Sequence, residues 1–248
     1  MSNPIEQFKI KPLVPLHIGS VDVSFTNSAL FMAVAFVLIT AFLTLSVRGR
    51  ALVPGRWQSL AEVMYEFVAG MIRDNVGKEG RKYFPFIFSL FMFVLFGNLL
   101  GMIPYTFTFT SHIIVTFALA SVVFIGVTVI GFARHGTHYL RMFFPHGAPL
   151  ATALILVPIE LISYLSRPLS LGVRLFANMT VGHIILKVVA GFIAAFIASM
   201  GVLGILPSIL PAAFLGGITV LEFGIALLQA YVFTILSCIY LHDAIHMH

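Results

Sequence analysis

The sequence predicts an all-α polytopic membrane protein with about five membrane-crossing helices and one interfacial amphipathic helix. Of the 248 residues, 60% are hydrophobic and only 9% are charged, whereas ordinary globular domains carry about 25% charged residues. Several apolar runs reach the roughly 20 residues that a helix needs to cross a bilayer. The last two runs are longer still, so we expect them to form a strongly tilted antiparallel hairpin within a single membrane domain, residues 1–248.

The charges point to membrane topology rather than to a nucleic-acid partner. The formal net charge is +5, but the basic residues lie in the short segments between apolar runs and do not form one patch. Cys238 is the only cysteine in the sequence, which excludes an intrachain disulfide and a thiolate metal cluster. The sequence contains no P-loop or other nucleotide motif, and we expect no cofactor and no bound metal.

The first apolar run, residues 28–47, follows a mostly polar N-terminal segment, residues 1–27. It is too long for the apolar part of a signal peptide, so we expect a retained membrane-crossing helix. Arg48, Arg50 and Arg56 follow it directly. By the positive-inside rule this end of the helix faces the cytoplasm or an equivalent interior, which places the N-terminus outside.

Residues 57–77 predict a helix that lies flat on the inner membrane interface. Their apolar residues follow alternating steps of three and one, the spacing of one helical face, and charged residues lie between them. The apolar positions are Leu60, Val63, Met64, Phe67, Val68, Met71 and Ile72, and the charged positions are Glu62, Glu66, Arg73 and Asp74. A helix with one apolar and one charged face binds at the interface and does not cross the membrane.

Residues 84–104 and 112–133 predict two further crossings, first outward and then back. Under this assignment the basic clusters at residues 48–56, 73–82 and 134–141 all lie on the inner side, as the positive-inside rule requires. The C-terminus also lies inside if each half of the final hairpin crosses the membrane once.

The last hundred residues predict two helices that are longer than the bilayer is thick. Residues 148–200 are compatible with one helix of ~75 Å, more than twice the ~30 Å hydrocarbon core. Such a helix must tilt, kink or break, and Pro158 and Pro168 are candidate kinks. Residues 207–241 form the second helix, which follows a turn around the stretch "GILPSILP".

This apolar half of the chain contains a small set of polar side chains that are costly to place in lipid. Apart from tyrosines and Cys238, its ionisable residues are Glu160, Arg167, Arg174, His183, Lys187 and Glu222, and its polar neighbours include Ser163, Ser166, Ser170, Asn178 and Gln229. An arginine at the centre of a membrane helix costs about 2.5–3.5 kcal/mol on insertion scales, and such charges typically mark a pathway. We therefore take this set as the candidate functional site.

Helical spacing sorts these residues into faces. Arg174 and Asn178 are four residues apart and share a face, whereas Glu160 lies ~21 Å before Arg174 along a straight helix. Glu222 and Gln229, seven residues apart, share a face of the second long helix. Arg174 therefore has no counter-ion within a turn of its own helix, and its partner comes from the second helix or from another protein.

Guanidinium chemistry narrows the role of Arg174. An arginine does not release its proton in a protein, so Arg174 cannot carry protons, but it can hold a facing carboxylate in the ionised form. Glutamate and histidine can take up and release protons near neutral pH once burial shifts their pKa values. Glu160 on one side, and His183 with Glu222 on the other, are then titratable groups separated by a fixed positive charge. That arrangement prevents a proton from crossing directly.

Structural interpretations stay open for each residue at this point. Arg174 could tether helix carbonyls, His183 could be an ordinary buried histidine, and Glu160 could bond backbone groups freed by a proline. Arg167 and Lys187 could extend their charged ends to an interface. For the whole protein, the alternatives are a self-contained secondary transporter or channel with Arg174 as an anion site, and a structural membrane scaffold.

The residues around Arg174 resemble the signature of one protein family. The stretch "SRPLSLGVRLFANMTVGHII", with Glu160 before it and "LLQAYVFTILSCIYL" after it, closely resembles subunit a of F-type ATP synthases. The resemblance covers essentially the whole chain and includes "GNLLGMIPYTF". It implies a non-catalytic, proton-conducting stator subunit of the Fo sector. Its two half-channels load and unload protons on the carboxylates of a c-subunit ring, which couples proton flow to rotation and ATP synthesis.

The resemblance also implies roles for the candidate residues. Arg174 matches the arginine that faces the ring carboxylates, and Asn178 and Gln229 match polar neighbours on that surface. Glu160 matches the half-channel that opens to the cytoplasm or matrix. The supporting polar residues on the same helix are Ser163, Ser166 and Ser170.

His183 and Glu222 match the relay in the half-channel on the proton-uptake side. One common bacterial pattern has glutamate nine residues after the arginine and histidine seven before the glutamine, and this sequence has the two exchanged. The exchanged order resembles mitochondrial and alphaproteobacterial members. The implied partners are the c-subunit ring, b-type subunits of the peripheral stalk, the rest of the ATP synthase and lipid. The implied location is the bacterial inner (plasma) membrane or the mitochondrial inner membrane.

Overall fold

A computed structural model describes residues 8–15, 17–18, 21–22, 24–48, 54–103, 106–143 and 150–246. The predicted all-α polytopic fold is confirmed. The helices in this part of the chain are α1 (Asn27–Val47), α2 (Arg56–Asn75), α3 (Phe84–Gly101), α4 (Ile113–His135), α5 (Leu150–Met200) and α6 (Ile205–Ile245), and short 3-10 turns lie between several of them. Four apolar helical segments of the described residues are long enough to cross a membrane, and the last of them, Ile155–Ile245, contains most of α5 and all of α6.

Two short β-pairs precede α1, in the segment predicted only as a polar N-terminal stretch. They are β1 (Pro12–Val14) with β4 (Phe25–Thr26), and β2 (His17–Ile18) with β3 (Val21–Asp22), both antiparallel. Asn27 fastens this segment to the start of α1, because its Nδ2 donates to the carbonyl of Lys9 and its Oδ1 accepts from the backbone N–H of Lys11. Strands of two or three residues are too short to show the alternation of apolar and polar residues that indicates a strand. The sequence therefore does not predict them.

The amphipathic pattern after the first apolar run forms the helix α2. Its buried residues, Ala61, Val68, Met71 and Ile72, recur at helical spacing. Aromatic contacts join it to the first half of α3, with ring centroids 4.5 Å apart for Tyr65 and Phe84 and 5.8 Å apart for Phe67 and Phe91. The chain leaves α2 through Gly77, whose φ of +81° a residue with a side chain rarely adopts.

α5 and α6 are the two long helices that the sequence predicts. α5 has 51 residues and remains one helix through Pro158 and Pro168, which at ordinary rise corresponds to ~76 Å. The turn between the helices is Gly201–Gly204, where Gly201 has a φ of +58°. It ends at Gly204, the first residue of the predicted "GILPSILP" turn, and α6 begins directly after it, because Pro207 fits the first turn of a helix, where a backbone donor is not needed.

Contacts divide the chain into two compact units. Unit 1 consists of Met1–Phe42, Met92–His112 and Leu175–Ala230, and unit 2 consists of Leu43–Phe91, Ile113–Arg174 and Tyr231–His248. Fully buried residues of unit 1 include Met92, Phe109, Leu175, Met179 and Ala226, and those of unit 2 include Val68, Ile87, Tyr139, Leu171 and Phe233. The predicted segment limits and single domain stay predictions. Arg50 lies outside the described residues, as do residues 1–7, 16, 19–20, 23, 104 and 148–149 of the predicted segments.

Candidate functional site

Amide side chains join three helices in unit 1. Asn178 Nδ2 on α5 donates a hydrogen bond of 2.7 Å to Gln229 Oε1 on α6, and Gln229 is only 1% exposed. Nearby on α6, the carbonyl of Ala226 accepts a 3.2 Å hydrogen bond from Nδ2 of Asn98, a fully buried residue of α3. Sequence reasoning missed Asn98, because a single amide within an apolar run has no spacing partner that marks it.

Glu222 and His183 face each other from the same two long helices. Nδ1 of His183 lies 3.6 Å from Oε1 of Glu222, and Glu222 is 1% exposed. Among the residues that the structure describes, neither carboxylate oxygen has a hydrogen-bond partner. The other ring nitrogen, Nε2, lies 3.2 Å from Oγ1 of Thr108. A carboxyl and an imidazole at this separation can exchange a proton after a small approach or through one water.

Gly182 makes room for the side chain of Glu222. A Cβ added at Gly182 would lie 2.5 Å from Oε1 and 2.9 Å from Cδ of Glu222, which is well inside van der Waals contact. Small residues in membrane helices permit such close approach. As the chain advances from Asn178 to Gly182, its partner on α6 moves back from Gln229 to Glu222, so the two helices run antiparallel in unit 1.

Arg174 and Glu160 both belong to unit 2 and lie on α5. Arg174 is exposed and Glu160 is partly exposed. Among the described residues of unit 2, Arg174 has no hydrogen-bond or ion-pair partner. On an ideal helix of 3.6 residues per turn, Glu160, Ser163, Ser170 and Arg174 fall within about 80° of one another. The three predicted serines, Ser163, Ser166 and Ser170, are exposed as well, so α5 presents one polar stripe on its open side.

Arg167 has a partner that sequence reasoning did not find. Its Nη1 donates to Oδ2 of Asp243 at 2.9 Å, and its guanidinium lies 5.4 and 5.2 Å from the ring centroids of Tyr164 and Tyr240. Asp243 escaped notice because it follows the predicted end of the last helix at residue 241, whereas α6 extends to Ile245. The pair shows that α5 and α6 also contact each other in unit 2.

A hydroxyl network continues from this ion pair. The Tyr164 hydroxyl lies 2.7 Å from Oγ1 of Thr128 on α4 and 3.1 Å from the hydroxyl of Tyr139. Tyr164 and Tyr139 are 7% and 1% exposed. Hydrogen bonding of the hydroxyl is what allows a tyrosine to be buried at low cost, so these contacts fix α5 against α4.

Long apolar helices that carry a buried carboxyl group beside an imidazole, together with an amide pair, are typical of a polytopic membrane protein of the ion-translocating class. A family model described as ATP synthase A chain matches residues 29–242. The chain belongs to this family.

Relatives from several bacteria align with this chain over nearly its full length. ATP synthase subunit a of Paramagnetospirillum magneticum is 77% identical over 251 residues, covering 100% of both chains. That of Rhodospirillum rubrum is 65% identical over 248 residues, again with 100% of both covered. That of Parvibaculum lavamentivorans is 57% identical, covering 98% of this chain and 94% of its own. The resemblance inferred from the motif around Arg174 is confirmed.

The family decides between the broad interpretations of the sequence. As a member, the chain is a non-catalytic, proton-translocating component of the Fo sector of an ATP synthase and a membrane protein. This confirms the predicted function and supports it over a self-contained transporter or channel. The roles of individual residues do not follow from membership.

Proposed function

We propose that Arg174 separates two proton paths that meet a passing ring of c subunits. A proton reaches the ring through His183 and Glu222 and neutralises a ring carboxylate, which then travels through lipid. After the rotation, the carboxylate releases its proton towards Glu160. Arg174 holds the ring carboxylate ionised between the two paths, so a proton cannot pass without turning the ring.

The observation that carries this proposal is the open position of Arg174 on α5. It is exposed, and within unit 2 the described residues provide no acid to neutralise it. A guanidinium keeps its charge under all physiological conditions. A permanent cation on an open helix face in an apolar protein is suited to attract a carboxylate of a neighbouring subunit, and the proposal assigns that carboxylate to the ring.

Glu222 and His183 suit the uptake path because they can change protonation state where Arg174 cannot. Glu222 is buried, and its contact with His183 at 3.6 Å gives it one titratable neighbour. The amides of Asn178 and Gln229 lie on the same two helices and offer hydrogen bonds without titrating. They supply polarity next to the path without offering a competing proton site.

The release path is assigned to the stripe that runs from Glu160 to Arg174 on α5. Glu160 is only partly buried, so its carboxyl is not sealed within the protein, and the proposal places water beside it. The exposed serines Ser163 and Ser170 lie between it and Arg174 on the same side of the helix, and their hydroxyls can both donate and accept. This stripe can therefore receive a proton that leaves the ring beside Arg174.

The partners of the chain are the c-subunit ring and the b-type subunits of the same ATP synthase. The exposed apolar residues of α6, among them Val220, Leu221 and Leu228, provide surface for such contacts and for lipid. Each proton that crosses releases ~2.3 kcal/mol per 100 mV of membrane potential, which is the energy that rotation transmits.

We assign the chain to the bacterial inner membrane with its N-terminus outside and its C-terminus inside. In support, the basic clusters at residues 48–56, 73–82 and 134–141 fall within unit 2, as does the C-terminal end of α6. Within that unit Arg134 pairs with Glu79, and Nε2 of His135 lies 3.2 Å from the carbonyl oxygen of Ile245. The positive-inside rule places such a basic end in the cytoplasm.

Proton-driven ATP synthesis in membrane vesicles that contain the whole complex tests the uptake path. We expect Glu222→Gln to reduce synthesis to about one per cent, a hundredfold loss, because an amide cannot take up and release the proton. Glu66→Gln is the matched control, since Glu66 is an exposed glutamate of α2 with no role in the path. Normal synthesis in the Glu222 variant would rule out this path.

A further inference from the structure

We propose that Thr108 selects the tautomer of His183 and thereby decides which ring nitrogen can accept a proton from Glu222. The inference rests on the proposed uptake path and adds a positioning residue to it. Thr108 lies in the segment between α3 and α4, in unit 1, and is 6% exposed. Sequence reasoning did not single it out.

The hydroxyl of Thr108 makes two hydrogen bonds but has a single hydrogen. Its Oγ1 lies 3.2 Å from the carbonyl oxygen of Gly101 and 3.2 Å from Nε2 of His183. A carbonyl oxygen can only accept, so the hydroxyl donates to Gly101. Towards His183 the same oxygen must then accept, and Nε2 must carry the hydrogen. In the neutral imidazole the remaining nitrogen, Nδ1, is consequently a bare acceptor.

Several contacts in unit 1 hold Thr108 in this place. A Cβ at Gly101 would overlap the Thr108 side chain. The absence of a side chain at Gly101 therefore allows the Thr108 hydroxyl to reach the carbonyl oxygen of Gly101. Oγ1 of Thr180 on α5 donates to the carbonyl of Ser111 at 3.3 Å, which ties the segment to the helix that carries His183. The Phe8 ring meets the imidazole edge to face, with centroids 6.5 Å apart, and this restricts rotation of the ring.

The consequence concerns the proton transfer itself. Nδ1 of His183 faces Oε1 of Glu222 at 3.6 Å. With the tautomer set by Thr108, the Nδ1 lone pair can take the proton of a protonated Glu222: the O–H bond breaks as the N–H bond forms, leaving a carboxylate and an imidazolium. The reverse step restores both neutral groups. In the other tautomer Nδ1 already bears hydrogen and cannot accept, so the transfer is blocked.

The test reads the tautomer directly in the intact complex. Isotopic labelling of the histidine ring nitrogens distinguishes the two tautomers by NMR at a pH where the imidazole is neutral. The chain has nine histidines, and the His183 signal is assigned by its loss in a His183→Gln complex. We expect Nε2 to be the protonated nitrogen in the wild type. A wild-type His183 protonated at Nδ1 overturns the inference without any Thr108 variant.

Three variants separate the hydroxyl from the bulk of the side chain. We expect Thr108→Val to shift His183 towards a mixture of tautomers and to lower proton-driven ATP synthesis about tenfold or more, while Thr108→Ser keeps both near the wild type. Thr110→Val is the matched control, because Thr110 is fully buried and its hydroxyl has no hydrogen-bond partner among the described residues. It leaves the tautomer unchanged.

The tautomer of His183 and the rate of ATP synthesis together distinguish this inference from the proposed uptake path through His183 and Glu222. An unchanged tautomer in Thr108→Val overturns the role of Thr108, whatever the rate of synthesis. A shifted tautomer with normal ATP synthesis upholds the role of Thr108 in setting the tautomer and counts against the relay through His183.

Discussion

Asn178 on α5 donates a 2.7 Å hydrogen bond to Gln229 on α6. One helical turn further along α5, Gly182 admits the side chain of Glu222. The amide pair and the acid thus lie on the same antiparallel contact of unit 1. The first holds the helices in register, and the second uses that register to place a carboxyl beside His183.

The amide pair predicts non-additive losses. Asn178→Leu and Gln229→Leu each remove one partner of the same hydrogen bond, so the double variant should lose little more proton-driven ATP synthesis than the worse single variant. The expected coupling is about 0.6 kcal/mol, typical of hydrogen bonds between membrane helices. Synthesis rates of the three variants in vesicles measure it. Losses that simply add would show that the two amides act independently.

The space at Gly182 predicts a position-specific effect of one methyl group. Gly182→Ala places a Cβ against the Glu222 carboxyl, and overpacking of this kind costs about 1–3 kcal/mol. We expect Glu222 to be displaced from His183 and ATP synthesis to fall several-fold. Gly191→Ala, on the same helix with nothing within 4 Å of an added Cβ, is the matched control and should be neutral. Equal rates in both variants would contradict the packing argument.

The ion pair of Arg167 and Asp243 predicts that loss of Arg167 destabilises the protein and that exchanging the two charged residues restores part of the stability. The two side chains are 24% and 36% exposed. Because Arg167 also contacts two tyrosine rings, we expect Arg167→Ala to lower the free energy of unfolding by about 1–2 kcal/mol. The exchange Arg167→Asp with Asp243→Arg should recover part of it. The midpoint of thermal dissociation of the purified complex measures the change.

Another pair in the chain provides the control for that experiment. Arg73 and Asp74 also lie close together, but their side chains are 80% and 71% exposed, so Arg73→Ala should leave the midpoint unchanged. If Arg167→Ala and Arg73→Ala have the same effect, the contact of Arg167 with Asp243 does not stabilise the fold.

The helices were predictable because the apolar content and length of each run, both visible in the local sequence, indicate a membrane helix. A run such as α1 must either cross lipid or be buried, and its length decides between the two. The end of α6 and the turn before it were not predictable with the same accuracy. Apolar content does not show where a helix ends once its last residues are polar, so Asp243 was excluded although it lies on α6.

The candidate site was predictable only in part, for a related reason. Arg174, Glu222 and His183 stand out because a charge in an apolar run is costly and therefore informative. Asn98 does not stand out because it is a single amide within an apolar run, and Thr108 does not because neutral polar residues are common in loops. Their importance lies in contacts with residues far along the chain, for Thr108 with His183, and no local spacing rule reveals such contacts.

Replacement of Arg174 tests most directly whether this residue separates the two proton paths, with proton-driven ATP synthesis and passive proton flow measured in vesicles that contain the assembled complex. We expect Arg174→Ala to abolish synthesis while the complex still assembles, because no charge then holds the ring carboxylate ionised. Arg174→Lys should also fail or leak protons, since a compact ammonium does not replace the guanidinium fork. Tightly coupled synthesis at the normal rate in the Arg174→Ala complex would show that Arg174 does not separate the two proton paths.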